Sequence, residues 1–263
     1  MRFSLFLITF ILLAGCAGIP KTSPPALQGI EVEELTDSED PLEMARAAGI
    51  HCGYRSGLDR QLAAFKLAQR AYLEAPGNRL VDLTLARCSL SLAGLMEDEK
   101  LKVEVAQKGY EAASAAGGKK DPVSAYYYGA CLGMLIEDKG ISAAGELDEL
   151  EAALKKAAEN ADTDSGGPLR ALGMLYLRAP PWPTGIGDLD RSLELLGRAA
   201  RDFPRHPANH IYYSYALQED GRSDEARREL SRAEEALREG EWGEYASGWE
   251  EEIAAFRKDI GER

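Results

Sequence analysis

The chain is short of the groups that do chemistry: 263 residues hold three histidines and four cysteines, and acid outnumbers base for a net charge of −13. His51 stands alone, and Pro207 between His206 and His210 argues against one shared helical face, so no metal-ligand spacing is present. His210 falls on a packing position and is expected to be structural. Gly166-Gly167-Pro168 lacks the Gly-Lys-Ser/Thr that completes a phosphate loop, and instead marks a helix start with Pro168 in the first turn. Too few oxygen ligands follow Gly185-Ile186-Gly187-Asp188 for calcium, which leaves Asp188 as a helix N-cap. The expectation is therefore no catalytic residue, no metal and no cofactor: a binding protein rather than an enzyme. The acidic balance makes nucleic acid and anionic lipid headgroups poor partners. Beyond residue 16 no apolar run is long enough to cross a bilayer.

One such run, too short to span, lies at the start. Arg2 precedes apolar residues 3–14, which end in Leu13-Ala14-Gly15-Cys16. This resembles the lipobox of bacterial lipoproteins, and implies cleavage before Cys16 and acylation of that cysteine, enough for stable membrane anchoring. Residues 1–15 are thus expected to be a signal peptide. Residues 16–41, interrupted by prolines and rich in acid, are expected to be the lipidated cysteine and a tether. Residues 42–263 are expected to be one folded body, of net charge −14 with the leader absent. Ala17 after the cysteine points to the outer membrane, facing the periplasm. Cys52, Cys88 and Cys131 remain in the body; three is odd, and buried apolar cysteines are favoured over a disulfide.

The body repeats with a period near forty. His210, Tyr213, Ser214 and Leu217, then Ala226, Leu230 and Ala233, resemble the two helices of a tetratricopeptide hairpin. Copies run from Leu169 with Ser192, from Ala125 with Leu150, and more weakly from Asp82 with Ala106. Ala64, Ala68 and Ala71 belong to a degenerate first repeat, and residues from about Tyr245 to Asp259 read as a capping helix. The fold class expected is all-α, a tetratricopeptide-like array of four to five hairpins with a C-terminal cap. Small residues allow close helix approach and large ones fill the gaps between turns. Three hairpins carry 7 to 9 residues more than the pattern between helices, predicting long loops on one edge. The third, Pro180-Pro181-Trp182-Pro183, reads as rigid.

Asp164-Ser165-Gly166-Gly167-Pro168, then Pro181-Trp182-Pro183, Gly187-Asp188 and Pro207-Ala208-Asn209-His210, resemble exported tetratricopeptide lipoproteins, the T-components of tripartite ATP-independent periplasmic (TRAP) transporters. The resemblance covers about half the mature chain and is dense from Gly166 to His210. It implies a body that associates with a periplasmic solute-binding protein and encloses a partly apolar channel or cavity. The alternative role is a scaffold in envelope or outer-membrane biogenesis.

The repeat register places Arg87, Tyr126, Met134, Arg170, Met174, Arg178 and Tyr215 on the concave face, with Trp182 on the loop edge. Apolar groups with arginine as the only charge suit a small apolar or anionic ligand, or an acidic protein partner. Such a groove is either open or filled by the long loops or the capping helix.

Overall fold

A computed structural model describes Leu27 and residues 33–139 and 144–261; Cys16 and the lipobox lie outside the described residues. Eleven α-helices, and no β-strand, occur among those residues. They are α1 (Pro41–His51), α2 (Leu58–Glu74), α3 (Arg79–Ala93), α4 (Glu99–Ala115), α5 (Pro122–Lys139), α6 (Ala144–Ala157), α7 (Gly167–Arg178), α8 (Leu189–Asp202), α9 (Pro207–Glu219), α10 (Ser223–Glu239) and α11 (Tyr245–Asp259). Each packs on the next, giving five hairpins from α1–α2 to α9–α10 with α11 as the cap. This is the all-α, tetratricopeptide-like array expected.

The local causes are legible. Proline stands in the first turn of α1, α5, α7 and α9, where the missing N–H costs nothing. The α3 start, which has none, is capped by Asn78, whose carboxamide oxygen accepts from the N–H groups of Leu80 and Val81. Asp98 and Asp188 cap α4 and α8 through the N–H groups of Leu101 and Arg191.

Glycines mark where helices meet. A methyl group on Gly173 would lie 2.6 Å from Cγ of Leu196, itself wholly buried, and 3.4 Å from Cβ of Leu195. Gly129 meets Leu154 in the same way one hairpin earlier, and Gly109 of α4 meets Cβ of Ser89 at 2.8 Å. Sequence alone predicts a mild Gly173→Ala, because alanine favours helix by about 1 kcal/mol. The geometry makes even alanine costly, since Leu196 has nowhere to go. We expect Gly173→Ala to lose about 1 kcal/mol net and Gly173→Leu about 3 kcal/mol or more by denaturant titration. An alanine variant as stable as wild type would show that the α7–α8 contact is misplaced.

Two expectations are corrected. The extra residues between helices do not all form long loops. α3 runs on to Ala93 and α5 to Lys139, so α3 and α4 are joined by residues 94–98 only. Extending a helix satisfies backbone groups that a loop would leave to water. Among the described residues, 179–188 do form a long loop, closed by the Gly187 N–H on the Pro180 carbonyl at 2.8 Å and the Asp188 N–H on that of Tyr176 at 3.0 Å. Secondly, Cys52 and Cys88 form a disulfide across a Cα separation of 4.7 Å, because α1 packs directly on α3. Cys131 is the buried apolar cysteine, its thiol pushed up to about 12 by burial.

Asp82 of α3 is completely buried, and burial pushes its carboxyl up to about 6, with the Gly77 amide offsetting only part. Its folded value lies above its unfolded one, so the stability it contributes is full below pH 4 and is lost as pH rises through 6. Asp82→Asn should therefore melt higher than wild type at pH 8, the gap closing on acidification to pH 4. A gap that stays constant with pH would remove this assignment.

Candidate functional site

A cavity of about 1860 Å³ lies inside the array. The first helices of successive hairpins line it, each with one face. Arg87, Leu90 and Ser91 come from α3; Tyr127, Ala130 and Met134 from α5; Ala171, Met174, Leu175 and Arg178 from α7; Tyr212 from α9. The spacing of 3 and 4 within each set is one stripe of a helix. Gly129, Ala130 and Gly133 keep the α5 wall thin. α6 adds Leu147, Leu150 and Leu154, so the surface is mostly apolar.

The groove is neither simply open nor filled. The cap crosses back to the first two hairpins: Tyr245 donates to the Ser91 carbonyl of α3, and Trp242, Tyr245 and Trp249 surround Tyr54 of the α1–α2 loop. The two ends of the array thus meet, and the cavity remains between them.

One wall is held by a charged network that joins α5, α7 and α9. Asp164 (φ +52), Ser165 (φ +49) and Gly166 (φ +90) form three successive left-handed residues, a conformation uncommon for non-glycine side chains. Arg170 and Asn209 hold them there. Arg170 donates to Oδ2 of Asp164 at 2.8 Å, to the Ser165 carbonyl at 3.0 Å and to Oδ1 of Asn209 at 2.8 Å. Asn209 donates in turn to the carbonyls of Ser165, at 3.1 Å, and Phe203, at 2.8 Å. Tyr126 and Tyr54 both donate to Oδ2 of Asp164, at 2.6 and 2.9 Å. Burial first, and the Asp164 charge next, push both phenols well above their usual value, which keeps them as donors. Gly167 has to be glycine, because a Cβ would sit 2.5 Å from the Tyr126 hydroxyl.

The expected site residues therefore divide. Arg87, Met134, Met174 and Arg178 line the cavity; the two arginines are exposed, and neither makes a hydrogen bond or ion pair among the described residues. Tyr126 and Arg170 also reach the cavity, but they are only 5% and 6% exposed and are committed to Asp164. Arg170 is thus a positioning residue of the wall rather than a free anion anchor. Tyr215 does not line the cavity: its hydroxyl donates to Glu252 at 2.6 Å and its ring meets Phe256 edge-on. Trp182 also lies outside, 84% exposed on its loop. His210 is the structural histidine expected, with Nδ1 2.7 Å from Glu229 and Nε2 2.8 Å from the Pro204 carbonyl. Sequence reasoning missed Tyr54, Asp164 as a hub, His206, Trp242 and Trp249. Asp164 and Asn209 stood in the motifs already quoted; Tyr54, in a degenerate repeat, carried no signal.

Fold and site together define an all-helical repeat protein with its two ends joined beside a half-open cavity. No family model matches the chain, and no curated protein does. Similar solved structures include a crystal structure of MamA, 16% identical with a TM-score of 0.42 over 68% of this chain and 90% of that one. A MamA RS-1 ArsTM double mutant has the same identity and TM-score over 78% and 97%.

Proposed function

We propose that this chain is a lipid-anchored periplasmic binding subunit, acylated at Cys16, whose cavity takes a small apolar or amphiphilic anionic ligand. In this reading it works beside a solute-binding protein in TRAP-type uptake. The observation that carries it is the cavity: a mostly apolar lining in which two exposed arginines, Arg87 and Arg178, make no hydrogen bond among the described residues, with Glu137, Glu239, Glu241, Glu244 and Glu252 on the same wall and the Arg178 charge felt by Glu252. Exposed guanidinium with free donors beside apolar surface favours a ligand with an acidic head and an apolar body. Trp182, on a loop clamped at its base by glycine–carbonyl contacts, is the edge that a protein partner would meet.

The purified body is titrated with a neutral naphthylamine dye and with an anilinonaphthalene sulfonate. Both should bind, and Arg87→Glu with Arg178→Glu should weaken the sulfonate about tenfold or more while sparing the neutral dye. Folded wild-type protein that takes up neither dye would remove the reading. For the anchor, Cys16→Ser should abolish labelling by radioactive fatty acid and leave an unprocessed precursor; normal maturation of that variant would end the lipoprotein assignment.

A further inference from the structure

The contact that joins the two ends of the array has an unusual construction. Tyr54 sits at the centre of an aromatic box, with ring centroids 4.8 Å from His206, 4.9 Å from Tyr245, 5.5 Å from Trp249 and 5.8 Å from Trp242. Its hydroxyl donates to Asp164 at 2.9 Å. The loop that presents it is pinned. Cys52 is tied to α3 by the disulfide, and Gln61 donates to the carbonyls of Gly53 and Ser56 at 3.1 and 2.8 Å. The tyrosine side of the contact is therefore preformed.

The other side is built loosely. Residues 240–249 carry Gly240, Gly243 and Gly248, each of which weakens helical or ordered backbone. Along all of α11 only Trp249 and Ile253 are buried. The C-terminal part of the cap is held by side chains of α9 and α10: Arg257 donates to Glu234 at 3.0 Å, Arg227 to the Ile260 carbonyl at 3.0 Å, and Tyr215 to Glu252, whereas residues 240–249 are held by two side-chain bonds to backbone carbonyls, Trp242 to Ala236 at 3.0 Å and Tyr245 to Ser91. At the near end Gly243, at φ +49, passes so close to the Tyr54 carbonyl that a Cβ would lie 2.8 Å from it. Closure also has a cost. His206 is 2% exposed inside the box, and neither ring nitrogen has a hydrogen-bond partner among the described residues. A buried orphan of this kind gains hydrogen bonds to water once the box opens.

We propose that residues 240–249 are a lid over one end of the cavity, latched by Tyr54, which swings about the C-terminal half of α11 while the hairpin array stays folded. The lid residues Trp242, Tyr245 and Trp249 form part of the cavity wall, so opening widens the access to it. This inference rests on the packing alone and stands whether or not the dyes above bind.

Access is measured without any ligand. Met134→Cys places a thiol on the cavity wall, and its alkylation by fluorescein maleimide is timed against the parent, whose Cys131 is buried. Adding Tyr54→Ala should raise that rate about tenfold or more, and Tyr54→Phe should raise it less, because only the hydroxyl's bonds to Asp164 and from Arg170 are lost while the ring stays in the box. Amide exchange should accelerate in residues 240–249 and not in α3 to α8. An unchanged alkylation rate in folded Tyr54→Ala protein overturns the lid, and so does exchange that rises equally throughout. If Tyr54→Ala does not fold, Gly243→Ala, which forces the turn off the Tyr54 carbonyl and removes no ring, is read the same way. Failure of both variants to fold would make the contact part of the core and end the proposal.

Discussion

Arg170→Glu is expected to unfold the protein or to lower its stability by at least about 3–5 kcal/mol, whereas Arg87→Glu should melt with wild type. The two arginines look alike in sequence, each on a first helix at a concave position. Arg170 is buried against Asp164, with further bonds to the Ser165 carbonyl and Asn209. Removing one partner of a buried pair leaves the other charge uncompensated, which costs about 3–5 kcal/mol. A glutamate would add like-charge repulsion with Asp164 and release the left-handed turn at residues 164–166. Against a total stability of about 5–15 kcal/mol that is decisive. Arg87 is exposed and makes no hydrogen bond or ion pair among the described residues, so its reversal should leave stability unchanged. Thermal melts of the two single variants separate these outcomes. An Arg170→Glu protein that melts with wild type would dismantle the wall described here.

Cys52→Ser with Cys88→Ser should cost about 4 kcal/mol in denaturant titrations run without reductant, by the loop-entropy relation for a closed loop of 36 residues. The same loss should appear in wild type after unfolding, reduction and refolding under dithiothreitol. The first hairpin depends on the bond more than its neighbours would. α1 is the shortest of the eleven α-helices among the described residues, its repeat is degenerate, and the α1–α2 loop has to hold Tyr54 in place. A double serine variant with an unchanged midpoint would mean that the packing of α1 on α3 suffices alone.

Much of the architecture is legible in the sequence. The period of about forty, the small residues at Gly173 and Gly129, the prolines that open helices and the N-cap at Asp188 are all local or nearest-neighbour features. Most of the packing of each hairpin is against its neighbour in the chain, so its pattern stays visible in sequence. The same locality put Arg87, Met134, Met174 and Arg178 on one surface, and all four line the cavity. It failed where residues far apart in the chain meet. Nothing near Tyr54 announces Asp164, 110 residues away, or the box formed by His206, Trp242 and Trp249. Nothing near Arg170 distinguishes it from Arg87. The pairing of Cys52 with Cys88 needed the α1–α3 contact, and the extra inter-helix residues needed to be seen as helix before they ceased to be loops. Sequence alone thus determined the repeat, its register and the face that lines the groove, because helix periodicity and small-residue contacts act over a few turns. Only the tertiary structure decided that the two ends meet, which arginines are spent in the wall and which face the cavity, because burial and charge pairing depend on the whole path of the chain.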